Sequence, residues 1–286
     1  MSRSEGLAEA PFDLRGFTRT ARGSHRERLD LDAYAHQPLD SDTLELVHLL
    51  SRLEQGALGY LRSVLVTPTH SDAHMTAFLV TWAYEKFWLA DALEAIAEVH
   101  PAPVDPPAPS LALRWRRFGN RIAERVEPIR ESVVSNLIGE DVIAVHCLAG
   151  AVDEWLMQAA YQRLADTTRH PGLGRTLADL LGVKQRHRTF FETQAAQRLA
   201  ASPSAAKLAR RRLQRVTWPL GSQDEPPQAL VRLLDGLLDA SDLAGIDRRL
   251  DTYPGLAGLQ PATTAARRTT RRLRRPPASH TKESRP

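Results

Sequence analysis

The clearest pattern along the chain is the recurrence of apolar side chains every three or four residues in four long stretches. These stretches run over residues 41–66, 72–100, 140–168 and 172–201, and short segments rich in Pro, Gly and His separate the members of each pair. Apolar spacing of this kind is typical of amphipathic helices. The pattern therefore predicts an all-α protein built around two long helical hairpins, residues 41–100 and 139–200.

Each of the four predicted helices carries a charged residue on its apolar face. These are Glu54 and Lys86 in the first hairpin and Glu154 and Lys184 in the second. Residues equidistant from the turn of a hairpin lie at the same height, and the midpoints of the two pairs, residues 70 and 169, fall inside the separating segments. A buried charge is costly unless it is paired. We therefore expect each glutamate to face its lysine and all four side chains to form one central polar cluster.

The remaining stretches are assigned by periodicity and by breakers. Proline-rich residues 101–110 and an apolar-periodic stretch at 111–136 predict a crossover with one helix between the hairpins. Further helices are predicted at 204–217, 227–239 and 241–250. The chain is thus divided into an irregular N-terminal segment at 1–40, a helical bundle at 41–221, a C-terminal helical extension at 222–259 and a disordered basic tail at 260–286.

Composition narrows the class of protein. Hydrophobic residues make up 42% of the 286 positions, which is enough for a core, and the single cysteine, Cys147, excludes an intramolecular disulfide. The sequence contains no run of about 18 apolar residues, so a transmembrane segment is not expected. The N-terminus lacks the apolar core of a signal peptide. We therefore expect a cytoplasmic protein.

The net charge of +4 is unevenly distributed. Residues 265–286 contain eight Lys or Arg and one Glu, which gives +7 there and leaves −3 for the rest of the chain. We interpret this basic stretch as a solvated end of the protein. No aromatic residue is interleaved with its arginines, so sequence-specific contact with nucleic acid is not expected.

Three segments resemble a known family. They are TAFLVTWAYEKFWLADAL at 76–93, GAVDEWLMQAAYQRLADTTRHPGL at 150–173 and VKQRHRTFF at 183–191. With these segments in this order, residues 46–221 resemble the ferritin-like di-iron carboxylate proteins, and most closely the acyl desaturase-like and oxygenase-like members. The resemblance implies a ferritin-like four-helix bundle with a long crossover helix and extra C-terminal helices. It also implies a centre in which two helices supply one Glu each and two supply Glu-x-x-His around two metal ions.

The metal ligands implied by the resemblance are only partly present. The two single glutamates correspond to Glu54 and Glu154, and the second Glu-x-x-His keeps its histidine as His187. Lys184 stands at the glutamate position of that motif, and Lys86 stands at the glutamate position of the first Glu-x-x-His motif. The histidine of the first motif is also missing. Three of the six ligand positions are therefore substituted.

The register of the first motif determines which residue replaces that histidine. With Lys86 at the glutamate position, Leu89 stands for the histidine. A register shifted by one residue would place Glu85 and Trp88 at the two positions, again without an imidazole, and would put Glu85 off the apolar face. Both alignments lack the same ligand.

The substitutions have a direct electrostatic consequence. Glu54, Glu154, Lys86 and Lys184 sum to zero charge without a metal. At about 4 Å an ammonium group repels a cation by several kcal/mol per unit charge, even at an effective dielectric constant of about 20. We therefore expect ion pairs in place of a metal centre, and no cofactor. The alternative is iron, or a single metal ion held by Glu54, Glu154 and His187 beside neutral lysines.

Three functions follow from these expectations. The first is a metal-free relative of di-iron oxygenases that binds a small apolar molecule or acts as a non-catalytic partner, including as a homodimer. The second is a metal-free enzyme in which Lys86 or Lys184 is the reactive amine, with Glu54 or Glu154 as its proton partner. The third is a metal-dependent oxidoreductase acting on an acyl or aliphatic substrate.

Overall fold

The structure is a computed structural model that describes residues 12–100 and 139–273. Within these residues the chain forms ten α-helices and no strand, which confirms the predicted all-α class. The predicted crossover at 101–136, with its helix at 111–136, lies outside the described residues.

Two short helices precede the first hairpin, α1 (Leu14–Arg19) and α2 (Leu31–His36). The prediction that residues 1–40 are irregular is wrong for these two stretches. Phe17 and Tyr34 are buried in the core. Helices of this length are not stable alone, so tertiary contacts stabilise them. Their shortness explains why periodicity did not reveal them.

The first hairpin consists of α3 (Ser41–Leu65) and α4 (Ala73–Glu98). Asp40 and Asp72 cap the two helices, because each carboxylate accepts a backbone N–H from the first turn. A 3₁₀ turn at Pro68–Ser71 joins them. The predicted ends of both helices are confirmed to within two residues.

The second hairpin consists of α5 (Asp141–Thr167) and α6 (Pro171–Ala201). Gly150 lies opposite Phe191, and a Cβ atom at Gly150 would come within 2.5 Å of that ring. Eight residues further along α5, Gln158 donates a hydrogen bond to the backbone carbonyl of Lys184 at 2.9 Å. Contacts with later residues of α5 are thus made by earlier residues of α6, so the two helices are antiparallel and closely packed.

Four helices follow the second hairpin. They are α7 (Pro203–Leu213), α8 (Pro227–Gly236), α9 (Ala240–Leu250) and α10 (Pro261–Leu273). The first three agree with the predicted C-terminal helices. The fourth shows that the prediction of disorder over residues 260–286 is wrong for 261–273, and residues 274–286 lie outside the described part.

The first turn of α10 is fixed by a buried carboxylate. Asp247 on α9 accepts the backbone N–H groups of Ala262 and Thr263 at 3.0 and 3.1 Å. Ala265 and Ala266 pack against the core from the same helix. Because the packed side chains of α10 are alanines rather than leucines, the segment resembles a polar tail by composition.

A segment after α7 docks against α3 with almost no space between the backbones. A Cβ atom at Gly221 would lie 1.9 Å from the carbonyl oxygen of Leu53, and one at Gly56 would lie 2.1 Å from the carbonyl oxygen of Gly221. Gly221 belongs to a 3₁₀ turn, Leu220–Asp224. Only glycine at both positions permits this approach.

No helix in the described residues is long and apolar enough to span a membrane.

This contact between α3 and the turn predicts opposite effects for two glycines on one helix. We expect Gly56→Ala to lower the free energy of unfolding by about 1–3 kcal/mol, because the added methyl group meets backbone. Gly59→Ala should raise it by up to about 1 kcal/mol, because alanine favours the helix and nothing lies within 4 Å of that position. Urea denaturation followed by circular dichroism measures both, and equal effects would contradict the close approach.

Candidate functional site: a buried cluster of ion pairs

The four charged residues predicted on the apolar faces meet at the centre of the two hairpins. Glu54 on α3, Lys86 on α4, Glu154 on α5 and Lys184 on α6 each have at most 1% of their surface exposed. Each helix positions its residue because most of the neighbours one turn away are buried. The predicted convergence is therefore confirmed.

Each lysine bridges both glutamates. Lys86 Nζ lies 2.6 Å from Glu54 Oε2 and 3.3 Å from Glu154 Oε1. Lys184 Nζ lies 2.8 Å from Glu54 Oε1 and 3.0 Å from Glu154 Oε2. Charges of opposite sign thus alternate around a closed ring, and the four formal charges cancel.

Most contacts of this ring are ion pairs rather than directed hydrogen bonds. Lys184 donates a hydrogen bond to Glu54 Oε1. Glu54 Oε2 and Glu154 Oε2 have an ammonium group at 2.6 and 3.0 Å but no partner in hydrogen-bonding geometry. Electrostatic attraction at low dielectric therefore contributes to the contact between the four helices here.

The ring controls the protonation of its own members. Burial alone would raise the pKa of Glu54 and Glu154, but the ammonium groups of Lys184 and Lys86 outweigh it and lower both pKa values. Burial alone would lower the pKa of Lys86, but the carboxylates of Glu154, Glu54 and Asp153 raise it well above its ordinary value of 10.5. Lys86 and the two glutamates are therefore charged at neutral pH.

Two aromatic side chains surround the ring. Trp82 donates its indole N–H to Glu154 Oε1 at 3.1 Å, and its ring lies 5.2 Å from Lys86 Nζ. The ring of Tyr161 lies 5.4 Å from Lys184 Nζ. Burial and then the charge on Glu54 raise the pKa of Tyr161 well above its ordinary value. Both ammonium groups therefore face an aromatic ring as well as carboxylates.

His187 is buried beside the ring and joins it to Glu85. Its Nε2 lies 2.7 Å from Glu85 Oε2, and its Nδ1 lies 3.5 Å from Glu154 Oε1. Glu85 also accepts the backbone N–H of Arg22 at 2.7 Å and pairs with Arg186. Burial would raise the pKa of Glu85, but the hydrogen bond and charge of His187, with the contacts of Arg22 and Arg186, lower it.

Sequence reasoning missed Glu85 as a member of the site. Placing Glu85 off the apolar face is wrong, because its side chain has 0% of its surface exposed. The signal was present: Trp82 lies three residues before it and Leu89 four residues after it, and both are buried. The buried face of α4 is wider than one stripe, because the segment around Arg22 covers its second side.

Asp153 is the second residue that the sequence reasoning missed. It is buried, lies 3.6 Å from Lys86 Nζ and accepts the backbone N–H of Leu220 at 2.8 Å. Burial, despite the charge of Lys86, raises the pKa of Asp153 above its ordinary value. Asp153 thus connects the ring to the 3₁₀ turn that docks on α3. Apolar residues flank it at helical spacing, as for Glu85.

The residues at the centre do not fit a pair of metal ions. Both glutamates are bridged by ammonium groups that occupy the space between them. Both nitrogens of His187 lie within 3.5 Å of a carboxylate oxygen. Among the described residues, no group of three or more His, Cys, Asp or Glu side chains is arranged to hold a metal ion.

Comparison of the chain with protein-family models, with curated proteins and with solved structures found no match.

The ring predicts strong coupling between its members. Lys184→Met should lower the free energy of unfolding by about 3–5 kcal/mol, because it leaves an uncompensated buried carboxylate. Lys184→Met combined with Glu54→Gln restores neutrality, so the double variant should lose less than the two single variants added together. Denaturant unfolding of the four proteins measures this cycle. Additive losses would show that Lys184 and Glu54 do not interact.

Proposed function

We propose that this chain is a ferritin-like four-helix-bundle protein, related to the di-iron carboxylate oxygenases, in which ion pairs replace the metal centre. Its role is to bind a partner and not to activate oxygen. The observation that carries this proposal is the pair of ammonium groups, each within 3.3 Å of both Glu54 and Glu154.

The positions of the residues that match the ligands of the resemblance support the relationship. Glu54, Glu154 and His187, the residues that correspond to three of the ligands, surround one point between four long helices. Lys86 and Lys184, which stand at two glutamate positions of the motifs, occupy the same centre. A long connection between residues 98 and 141 separates the two hairpins, as in bundles with one crossover.

A lysine-dependent enzyme is less compatible with this geometry. A lysine that acts as a base or as a Schiff-base nucleophile needs a lowered pKa, whereas the surrounding carboxylates raise that of Lys86. At most 1% of the surface of Lys86 and of Lys184 is exposed. Neither amine is therefore prepared to meet a carbonyl substrate.

One apolar crevice among the described residues is too small for a ligand. This crevice, which is lined by Leu156, Trp218 and Leu233 among others, has a volume of about 20 Å³. Such a space holds about one water molecule, whereas small-molecule pockets measure about 300–1,000 Å³. This crevice is thus too small for an acyl or aliphatic molecule, so the proposal does not place such a ligand there.

The proposal predicts how much iron the protein retains. The wild-type chain, expressed with ample iron, should contain no stoichiometric iron by elemental analysis. The variant Lys86→Glu/Leu89→His/Lys184→Glu restores the six ligands that the resemblance implies and should bind about two iron atoms per chain. Circular dichroism verifies that the variant is folded.

Two iron atoms held tightly by the wild-type chain would contradict the proposal whatever the variant does. A wild-type chain without iron and a folded variant that gains it would support the relationship as well as the loss of the metal centre.

A further inference from the structure

The strongest charge pattern outside the ion-pair ring lies on one side of the C-terminal helices. We define the basic face as six exposed arginines: Arg210, Arg211, Arg215, Arg267, Arg268 and Arg271. The first three belong to α7 and the residues directly after it, and the last three belong to α10. Exposed Lys207 on α7 adds a seventh positive charge nearby.

Hydrogen bonds connect α7 with the loop before α10, and α10 with the residue directly after α7, which brings the two groups of arginines near each other. Arg268 on α10 donates to the backbone carbonyl of Gln214, directly after α7, at 2.6 Å. Arg210 on α7 donates to the carbonyls of Gly255 and Ala257, in the loop before α10, at 3.3 and 2.9 Å. Carbonyl oxygens do not neutralise these guanidinium groups, so the positive charge of the face remains.

The basic face has no acidic partner in the described part of the chain. None of its six arginines forms an ion pair there, whereas Arg26, Arg163 and Arg198 elsewhere do. The two stretches that contain the face, residues 193–223 and 252–273, have no Asp or Glu of their own, and Arg198 in the first stretch pairs instead with Asp72, which caps α4.

The nine Lys and Arg of these two stretches, leaving out Arg198, contribute +9 to the net charge of +4, so the remainder of the chain carries −5. The molecule is therefore polarised, with its excess positive charge on α7 and α10. A charge distribution of this kind attracts a polyanion.

The side chains of the face suit phosphate groups. Arginine presents a planar fork that binds phosphate oxygens in pairs, and all six residues are arginines. An open groove of about 430 Å³ beside α10 is lined by Arg267 and Arg271, by Thr263 and Thr270, and by the apolar residues Ala240, Leu243 and Ala266. The hydroxyl group of Thr263 also suits phosphate.

The surroundings favour nucleic acid over a lipid surface. Membrane-bound helices insert an apolar face, but the apolar faces of α7 and α10 are packed against the protein. The large hydrophobic residues that are exposed in the described part, Val66, Val80 and Tyr84, lie on or next to α3 and α4. We propose that the basic face binds the phosphate backbone of double-stranded nucleic acid without reading its sequence.

Binding of the full chain to a fluorescent DNA duplex of mixed sequence tests this proposal. Fluorescence anisotropy should show binding at low salt. The logarithm of the binding constant should fall linearly with the logarithm of the salt concentration, with a slope of about 0.9 per phosphate contacted. The variant Arg211→Gln/Arg215→Gln/Arg267→Gln/Arg271→Gln should bind at least about tenfold more weakly and with a smaller slope. A second duplex of different sequence should bind equally well.

The matched control removes the same charge elsewhere. Arg15→Gln/Arg19→Gln/Arg169→Gln/Arg175→Gln neutralises four arginines that are exposed outside the basic face. This control should bind DNA within about twofold of the wild type, since only phosphate contacts enter the slope. Thermal unfolding verifies that both variants are folded.

Three results would overturn the proposal. The first is a wild-type chain that does not bind either duplex at low salt. The second is an equal loss of DNA affinity in both variants, which would show that binding depends only on the net charge of the protein. The third is stronger binding to vesicles containing phosphatidylserine than to DNA, with the same dependence on the four arginines, which would assign the face to an anionic membrane.

Discussion

The attraction between two buried ammonium groups and two buried carboxylates is the constraint on which the centre of this protein depends. Removing four charges from water has a large cost that only close and complete pairing offsets. The ring meets this condition because one charge comes from each of the four long helices, and each lysine contacts both glutamates. A rotation or shift of any one helix would leave a charge unpaired, so the ring fixes the register of both hairpins at once.

The choice of lysine follows from the geometry of the ring. The chain contains four lysines against 34 arginines, and two of the four, Lys86 and Lys184, lie in the ring. A compact ammonium group with three donors can stand between two carboxylates, whereas the planar guanidinium group of arginine requires a wider space. In the described part of the chain, arginines such as Arg26 and Arg186 form their ion pairs nearer the surface.

A second layer connects the ring to segments outside the hairpins. Glu85 joins His187 to the backbone near α1, and Asp153 joins Lys86 to the 3₁₀ turn that docks at Gly56. Stabilisation of the peripheral segments and closure of the charged centre are therefore parts of one network. Through these connections the Nε2 atom of His187 is paired with Glu85.

The sequence predicted the long helices and the ring but not the second layer. Helical periodicity identifies a charge such as Glu54 among leucines, and the symmetry of a hairpin identifies its partner. Periodicity does not show which other segment covers a helix, so Glu85 and Asp153 were missed although apolar residues flank both. It also fails where alanines do the packing, as in α10, because Ala262 and Ala266 resemble a tail by composition while Asp247 fixes the helix in place.

The protonation of Lys86 tests the central claim most directly. With only four lysines in the chain, nuclear magnetic resonance of ¹⁵N-labelled lysine can follow each side-chain nitrogen through a pH titration, and the variant Lys86→Arg assigns the signal. An ammonium group enclosed by carboxylates must titrate above the ordinary value of 10.5. A Lys86 that loses its proton at or below that value would contradict the account, because its nitrogen would then be desolvated without being paired.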